Sequence, residues 1–394
     1  MPSYSIYLHI PFCIHRCAYC DFNTYSGLEE VVPYYVNALC REIQFCRASA
    51  GEKLPVHTIF MGGGTPSLVP AAELERIFQA LKTAFDLEAG AEITLEANPG
   101  TLTADYLIRL RAIGVNRLSL GMQSAHPDDL RVLERQHSLE DVLQAVSWAR
   151  KAGFSNINLD LIFGIPYQTL VRWGHTLSMS MALLPEHISL YALTLEHDTP
   201  MGKWVQGGLL PEPDPDLAAD MYELASERLE SSGYTQYEIS NWARSNDQGN
   251  LLSCQHNLQY WHNLPYLGFG AGAHGYAGGI RTANVLSPQA YIDRCMDGNP
   301  LPFPRTPATV EVNSINREAE IKETMMVGLR LTQEGVSSVG FEERFGVSLK
   351  SLYGSEIDRL AGFGLLEWAG EGNETLRLTK RGRLLGNQVF LSFI

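Results

Sequence analysis

Six short, β-rich apolar runs recur along the first half of this 394-residue chain, and a longer amphipathic stretch separates each from the next. The runs are SIYLHI (5–10), VHTIFM (56–61), EITLEA (92–97), NRLSLGMQ (116–123), NINLDLIFG (156–164) and HISLYALT (187–194). Helical patterns lie near 31–49, 71–86, 103–113, 139–152 and 169–183. Six βα-type units predict an α/β fold, a parallel sheet with helices outside it. Periodicity leaves open whether the sheet curls into a partial barrel or stays doubly wound. In both cases chemistry belongs at the C-terminal ends of the strands. A cysteine loop follows the first run and GGGTP (62–66) the second. Glu96 ends the third, Gln123 ends the fourth, and Asp160 lies in the fifth, so one shared site is expected.

The remainder is less regular. LLPEPDPD (209–216) reads as a surface connection and 217–233 as a helix ended by Gly233. LGFGAGAHGY (267–276) is rich in glycine, so its backbone can approach a ligand closely. LPFPRTP (301–307) reads as a linker. Beyond it, helical patterns near 317–330, 338–346 and 350–363 precede a strand-like 365–379 with a turn around Gly370–Asn373, the order of a winged helix. The expected division is therefore 1–200, 201–305 and 306–394. From residue 311 on, 10 Lys and Arg meet 12 Asp and Glu, and the whole chain carries a net charge of −14. Phosphate binding needs a concentrated basic face, so nucleic acid is a poor partner. No apolar run approaches the roughly 18–20 residues of a membrane span. MPSYSIYLHI lacks the basic flank and cleavage site of a signal peptide, and a cytoplasmic protein is expected.

Three of the seven cysteines, Cys13, Cys17 and Cys20, cluster as C-x3-C-x2-C within PFCIHRCAYCDFN. Cytoplasmic thiols stay reduced, which favours a metal over a disulfide framework. Three thiolates suit an iron–sulfur cluster, leaving one corner of a [4Fe–4S] cube for an outside ligand. A structural zinc site wants four ligands, usually from paired knuckles. Cys40, Cys46 and Cys295 stand alone on helical patterns and read as small buried hydrophobes.

The cysteine spacing resembles the signature of radical S-adenosylmethionine proteins. YLHIPFCIHRCAYCDF, FMGGGTPSLV, LEANPG, RLSLGMQS, LERQHS, NLDLIFGIP and YAL run in the order found in the oxygen-independent coproporphyrinogen III oxidase family. The resemblance implies a partial (β/α)6 barrel with an additional α+β segment and a C-terminal winged-helix-like domain. It implies that the amine and carboxylate of S-adenosylmethionine chelate the open iron, and that the reduced cluster cleaves the sulfonium to a 5′-deoxyadenosyl radical. By the same resemblance Tyr7 lies near the sulfonium, Tyr19 contacts adenine, and Gly63, Gly64 and Thr65 bind the methionine amino group. Glu96 accepts from the ribose or amine. Gln123, Arg135 and Asp160 match positions that hold a second S-adenosylmethionine, and Ala192 follows the pattern. On their own, Tyr7 also reads as a core tyrosine, Arg135 as a solvated charge and Asp160 as a strand-end cap.

Two departures set the chain apart from the oxidase. Phe22 stands where the oxidase has a fourth cysteine, and only three or four residues precede the first strand. Both features resemble the sister group of HemW-type heme chaperones, which carry an H-N-x-x-Y-W motif; here it is HNLQYW, His256 to Trp261. An imidazole ligates iron and aromatic rings cover a porphyrin face, so His256 is the expected heme ligand, with His262 and Cys254 as alternatives to it and a structural histidine as the plain reading. This resemblance implies a [4Fe–4S] cluster, S-adenosylmethionine and heme as cofactors. Its partners are heme and an apo-hemoprotein acceptor, a respiratory enzyme being one class. A homodimer is compatible with it. The alternative is coproporphyrinogen III decarboxylation.

Overall fold

The computed structural model describes residues 3–372 and 374–394; Asn373 of the expected turn and Met1 and Pro2 of the N-terminal run lie outside the described residues. The chain forms two compact units, residues up to Arg228 with Pro265–Ser314, and Leu229–Leu264 with Ile315–Ile394. The expected segments 1–200, 201–305 and 306–394 do not coincide with these units. The reason is that 201–305 is shared between them.

In the first unit the six expected strands are β1 (Tyr4–Ile10), β2 (Pro55–Gly63), β3 (Asp86–Ala97), β4 (Arg117–Gln123), β5 (Ile157–Phe163) and β6 (His187–Ala192). They are parallel and adjacent in sequence order. A doubly wound sheet reverses its strand order at a switch point; this order never reverses. Right-handed crossovers then place every connecting helix on one face, which is the curled, partial-barrel solution. The glycine-rich stretch supplies β7 (Tyr266–Phe269), parallel to the other edge of β1, and the antiparallel β8 (His274–Ala277), β9 (Ile280–Asn284) and β10 (Thr309–Ser314) continue from it.

The connecting helices are α1 (Val32–Ala50), α2 (Ala71–Ala84), α3 (Ala104–Ile113), α4 (Leu139–Lys151) and α5 (Leu170–Ala182). Helix α4 illustrates why they form. Ser138 and Asp141 make a reciprocal capping box, acidic residues occupy the first turn and Arg150 and Lys151 the last. Val142, Ala145, Val146 and Ala149 form its buried stripe, and Gly153 at φ +89° ends the segment. Beneath the helices lie Ile6, Leu8, Ile59, Met61, Leu95, Leu118, Leu159 and Ile188, all fully buried. Each such side chain contributes roughly 1.5–3 kcal/mol.

In the second unit, helices Arg317–Gly328, Ser338–Phe345 and Leu349–Gly362 precede a hairpin of Leu366–Ala369 and Thr375–Leu378, and Val336–Ser337 adds a third strand, the winged-helix arrangement. Met325, Phe341, Ile357, Leu376 and Phe393 belong to its core. Among the described residues no helix is long and apolar enough to cross a membrane.

Glu42 of α1 is fully buried and accepts four hydrogen bonds: from Gly270 N–H (2.9 Å), Tyr291 O–H (2.6 Å), Asn284 Nδ2 (2.8 Å) and Thr306 O–H (2.7 Å). These donors come from four separate places after β6, so one carboxyl anchors the late strands to an early helix. Burial raises its pKa and the four bonds pull it back. Glu42→Gln keeps the shape but turns an NH2 toward donors. It should therefore destabilise the fold nearly as much as Glu42→Ala, by roughly 3 kcal/mol in denaturant titration.

Candidate functional site

Strand alternation decides what faces the inside of the curl. The residues beneath the helices are Ile6, Leu8 and Ile59; the ones between them, Ser5, Tyr7, His9 and Thr58, face the other way. On that inner face Tyr7 is opposite Phe60, Glu96 opposite Ser119, Asp160 opposite Ser189 and Ile162 opposite Tyr191. Pairing of β4 with β5 shifts between Leu120 and Gln123, and Gln123 takes a left-handed φ of +63°. A bulge of this kind re-aims a side chain, and Gln123 lines the cavity at the strand ends.

That cavity, about 360 Å³, brings together the sulfur-bearing loop and the strand ends. Cys13, Cys17, Cys20, Tyr19, Gly63, Gly64, Thr65, Glu96, Gln123, Arg135, Asp160 and Ala192 all line it. The loop is fastened at several points. Gly64 N–H donates to Ile10 O and Thr65 N–H to Phe12 O, both at 2.8 Å, and Met201 N–H donates to Ala18 O at 3.0 Å. Ala18 packs with Leu133, Ile162, Ile165 and Met201. Glycine is obligatory in GGGTP. A Cβ on Gly63, at φ +111°, would lie 2.5 Å from the His9 ring, and one on Gly64 would lie 2.6 Å from the Phe12 carbonyl.

Each sulfur has a polar neighbour. The Thr65 hydroxyl donates to Cys13 Sγ at 3.6 Å and Arg135 Nη1 to Cys17 Sγ at 3.7 Å; Cys20 Sγ lies 3.9 Å from Thr24 Oγ1. All three thiols are free of disulfides. Burial pushes the Cys13 and Cys17 thiols up, opposed at Cys17 by the Arg135 charge and at Cys13 by the Thr65 bond. The sulfurs border the cavity without closing on one point: among the described residues no three ligating side chains are drawn together. Three soft donors with hydrogen-bonding neighbours fit an iron–sulfur cluster.

Glu96 Oε2 accepts from Gly63 N–H at 3.2 Å. Burial and the nearby Asp160 charge raise its pKa to about 8, so at neutral pH it is mostly protonated. Asp160 is also raised by burial, against bonds from Ser119 (2.8 Å) and Asn158 (2.9 Å). Arg135 donates through Nη2 to Gly121 O at 3.1 Å, while its buried Nε has no hydrogen-bond partner among the described residues. Burial raises the Tyr19 phenol, which Arg135 opposes.

Two of the expected site residues stand apart from the cavity lining. Tyr7 lies below it, its hydroxyl 3.0 Å from His9 Nδ1 and its ring stacked on Phe60. His9 Nε2 donates to Asn23 O at 2.9 Å, so Nδ1 accepts from Tyr7. His256 belongs to the second unit, on the helix Gln255–Trp261. It is 1% exposed, with Nε2 2.8 Å from the Tyr260 hydroxyl. Cys254 is buried beside it, and His262 Nε2 meets Glu334 at 2.8 Å. Sequence reasoning missed His9, Thr24, Ser119 and Asn158. Counting by twos from Tyr7 and Asp160 would have found His9 and Asn158.

Residues 7–179 match the model of the Radical SAM superfamily, and residues 315–385 match the HemN C-terminal domain. Fold and site thus define a radical S-adenosylmethionine architecture, a superfamily whose cofactors are a [4Fe–4S] cluster and S-adenosylmethionine. Heme chaperone HemW of Bacillus subtilis is 40% identical over 99% of both chains, and that of Escherichia coli is 38% identical over 74% of this chain and 76% of its own. The chain belongs to the HemW family. Among solved structures, coproporphyrinogen III oxidase (HemN) from Escherichia coli superimposes with a TM-score of 0.82 at 24% identity, covering 99% of this chain and 90% of that one.

The Glu96 shift has a measurable sign. A carboxyl raised from 4.5 to about 8 holds a proton in the folded state that the unfolded chain has lost. Its contribution to stability is therefore full below pH 4.5 and declines as pH rises through about 8. Glu96→Gln removes this titration. The unfolding free energy of the wild type relative to Glu96→Gln should fall between pH 5 and 8.5 by roughly 3 kcal/mol.

Proposed function

We propose that this chain is a heme chaperone, which takes up heme and hands it to an apo-hemoprotein, such as a respiratory enzyme, in the cytoplasm. The observation that carries the reading is the relationship to proteins named heme chaperone HemW, which extends over 99% of the chain. Phe22, in place of the oxidase's fourth cysteine, points the same way. The likeness to HemN, at 24% identity, concerns the fold alone and lends no activity.

In this reading Cys13, Cys17 and Cys20 ligate the cluster, and S-adenosylmethionine lies in the cavity behind them. When bound, the cluster supplies a one-electron reductant. Thr65 offers its hydroxyl, and Gly63 and Gly64 their bare backbone, to the methionine end. Glu96, already held by Gly63 N–H, gives up its proton beside a cationic amine and becomes the countercharge. Tyr19 borders the adenine end, and Ala192 lines the wall with Gln123, Arg135 and Asp160. Gln123, Arg135 and Asp160 hold polar groups further along the wall, and Tyr7 supports the floor through His9. His256 is the proposed iron ligand of heme. Its Nε2 is engaged by Tyr260, so ligation requires that contact to open.

Replacing any one of the three cysteines with Ala should abolish the broad thiolate-to-iron absorption after anaerobic reconstitution, with iron counted alongside. Four irons retained in the triple variant would remove the cluster assignment. Hemin should bind stoichiometrically without conversion of coproporphyrinogen III, and His256→Ala should shift the Soret band while leaving the cluster in place. Formation of protoporphyrinogen IX by the reconstituted protein would overturn the chaperone reading.

A further inference from the structure

The cysteine loop carries large apolar side chains that the fold does not bury. Ile14, between Cys13 and Cys17, is 64% exposed, and Phe22, two residues past Cys20, is 68% exposed. Tyr191, near the end of β6, is 44% exposed. Single exposed hydrophobics need no explanation, but these are not scattered. Phe22 and Tyr191 line the same cavity mouth, from opposite ends of the sequence of barrel strands. The loop had a nearby place to bury apolar groups. Ala18, between Cys17 and Cys20, is buried in a satellite cluster with Ile162 and Met201, and Tyr19 and Leu193 pack against that cluster. Phe22 stays in solvent. Exposed Arg16 and His15 line the same cavity; His15 Nε2 sits 3.4 Å from Glu134, while Arg16 reaches the Cys20 carbonyl at 3.3 Å.

We infer that Phe22 and Tyr191 form an aromatic rim that holds the macrocycle of heme at the mouth of the cluster-loop cavity, with Arg16 beside it for a propionate. The inference rests on the heme-chaperone reading; it places the macrocycle within the barrel unit alone and does not depend on His256 as the iron ligand. Aromatic rings suit this ligand because a porphyrin is flat and π-rich, and offset stacking needs only exposed faces. The ligand's carboxylates are anionic, and Arg16, which lines the cavity, is the loop's cation; Asp21, exposed next to Phe22, is its anion. Size agrees as well. A cavity of about 360 Å³ is at the low end for a small-molecule site, so a macrocycle rests on its edge while the interior stays available to S-adenosylmethionine.

Hemin titration of the full-length protein, followed at the Soret band, tests this with Phe22→Ala, Phe22→Trp and the double variant Phe22→Ala/Tyr191→Ala. Phe22 is exposed, so melting temperature and reconstituted iron content should match the wild type. Phe22→Ala should weaken hemin binding at least about tenfold, and Phe22→Trp should restore it to within about twofold of wild type. Wild-type affinity in the double variant overturns the proposal. So does unchanged hemin uptake with slowed delivery to apomyoglobin, which would assign the rim to docking of the acceptor protein. Failure of the wild-type protein itself to take up hemin would instead sink the heme reading, a result distinct from any effect confined to the Phe22 variants.

Discussion

A parallel sheet whose helices all lie on one face must place something else on the other. In this chain the inner face is polar and hydrogen-bonded to itself. The Thr58 hydroxyl donates to Ser5 at 2.6 Å, Asn158 Nδ2 donates to Ser119 at 2.7 Å, and Ser189 donates to Asn158 at 3.1 Å. Buried polar groups are tolerated only when paired, and these pairs run from strand to strand. An interior of this kind lets a carboxyl such as Glu96 or Asp160 sit deep between strands, where a hydrocarbon interior would exclude it. The polar floor and the loops above it therefore form one device. The floor supplies shifted carboxyls, and the loops supply sulfur, hydroxyl and guanidinium.

The loops also hold each other. The GGGTP turn after β2 is hydrogen-bonded to the carbonyls that flank Pro11, and Arg135, from beyond β4, reaches both the Gly121 carbonyl and a cysteine sulfur. The contacts to Ile10, Phe12 and the cysteine sulfur each span different βα units. No single unit could fix the positions of the three sulfurs alone, which is why the informative residues are spread over almost two hundred positions.

Much of this was legible before any coordinates. The six strands and five helices follow from local pattern, and a stripe such as Val142, Ala145, Val146 and Ala149 admits few other conformations. The cavity lining was legible at Cys13, Glu96 and Arg135 because the cysteine spacing gave the family pattern. Ser119 and Asn158 were not singled out, since serine and asparagine in a strand carry no signal until the inner face is known to be polar. The return of residues 265–314 to β1 could not be read either, because edge pairing depends on contacts far apart in the chain. Nor could the burial of His256, which is set by side-chain packing that the motif does not encode.

The anchoring of the cysteine loop has a consequence for when the site can exist during synthesis. Asn23, just past the last of the three cysteines, donates to the carbonyls of Ala271 at 3.1 Å and Leu286 at 2.9 Å, partners 248 and 263 residues later in the chain. Tyr35 joins the carbonyl of His9 to the amide of Ala271. In a growing chain the Ala271 and Leu286 carbonyls, and the Ala271 amide, therefore appear long after the cysteine loop that they help to hold. Until then the loop has only its earlier fastenings, among them those from Gly64 and Thr65, and contacts this distant in sequence form slowly. The order of events favours a loop that reaches its final fastening late, once the residues through Leu286 have been made, over one that is complete as it appears.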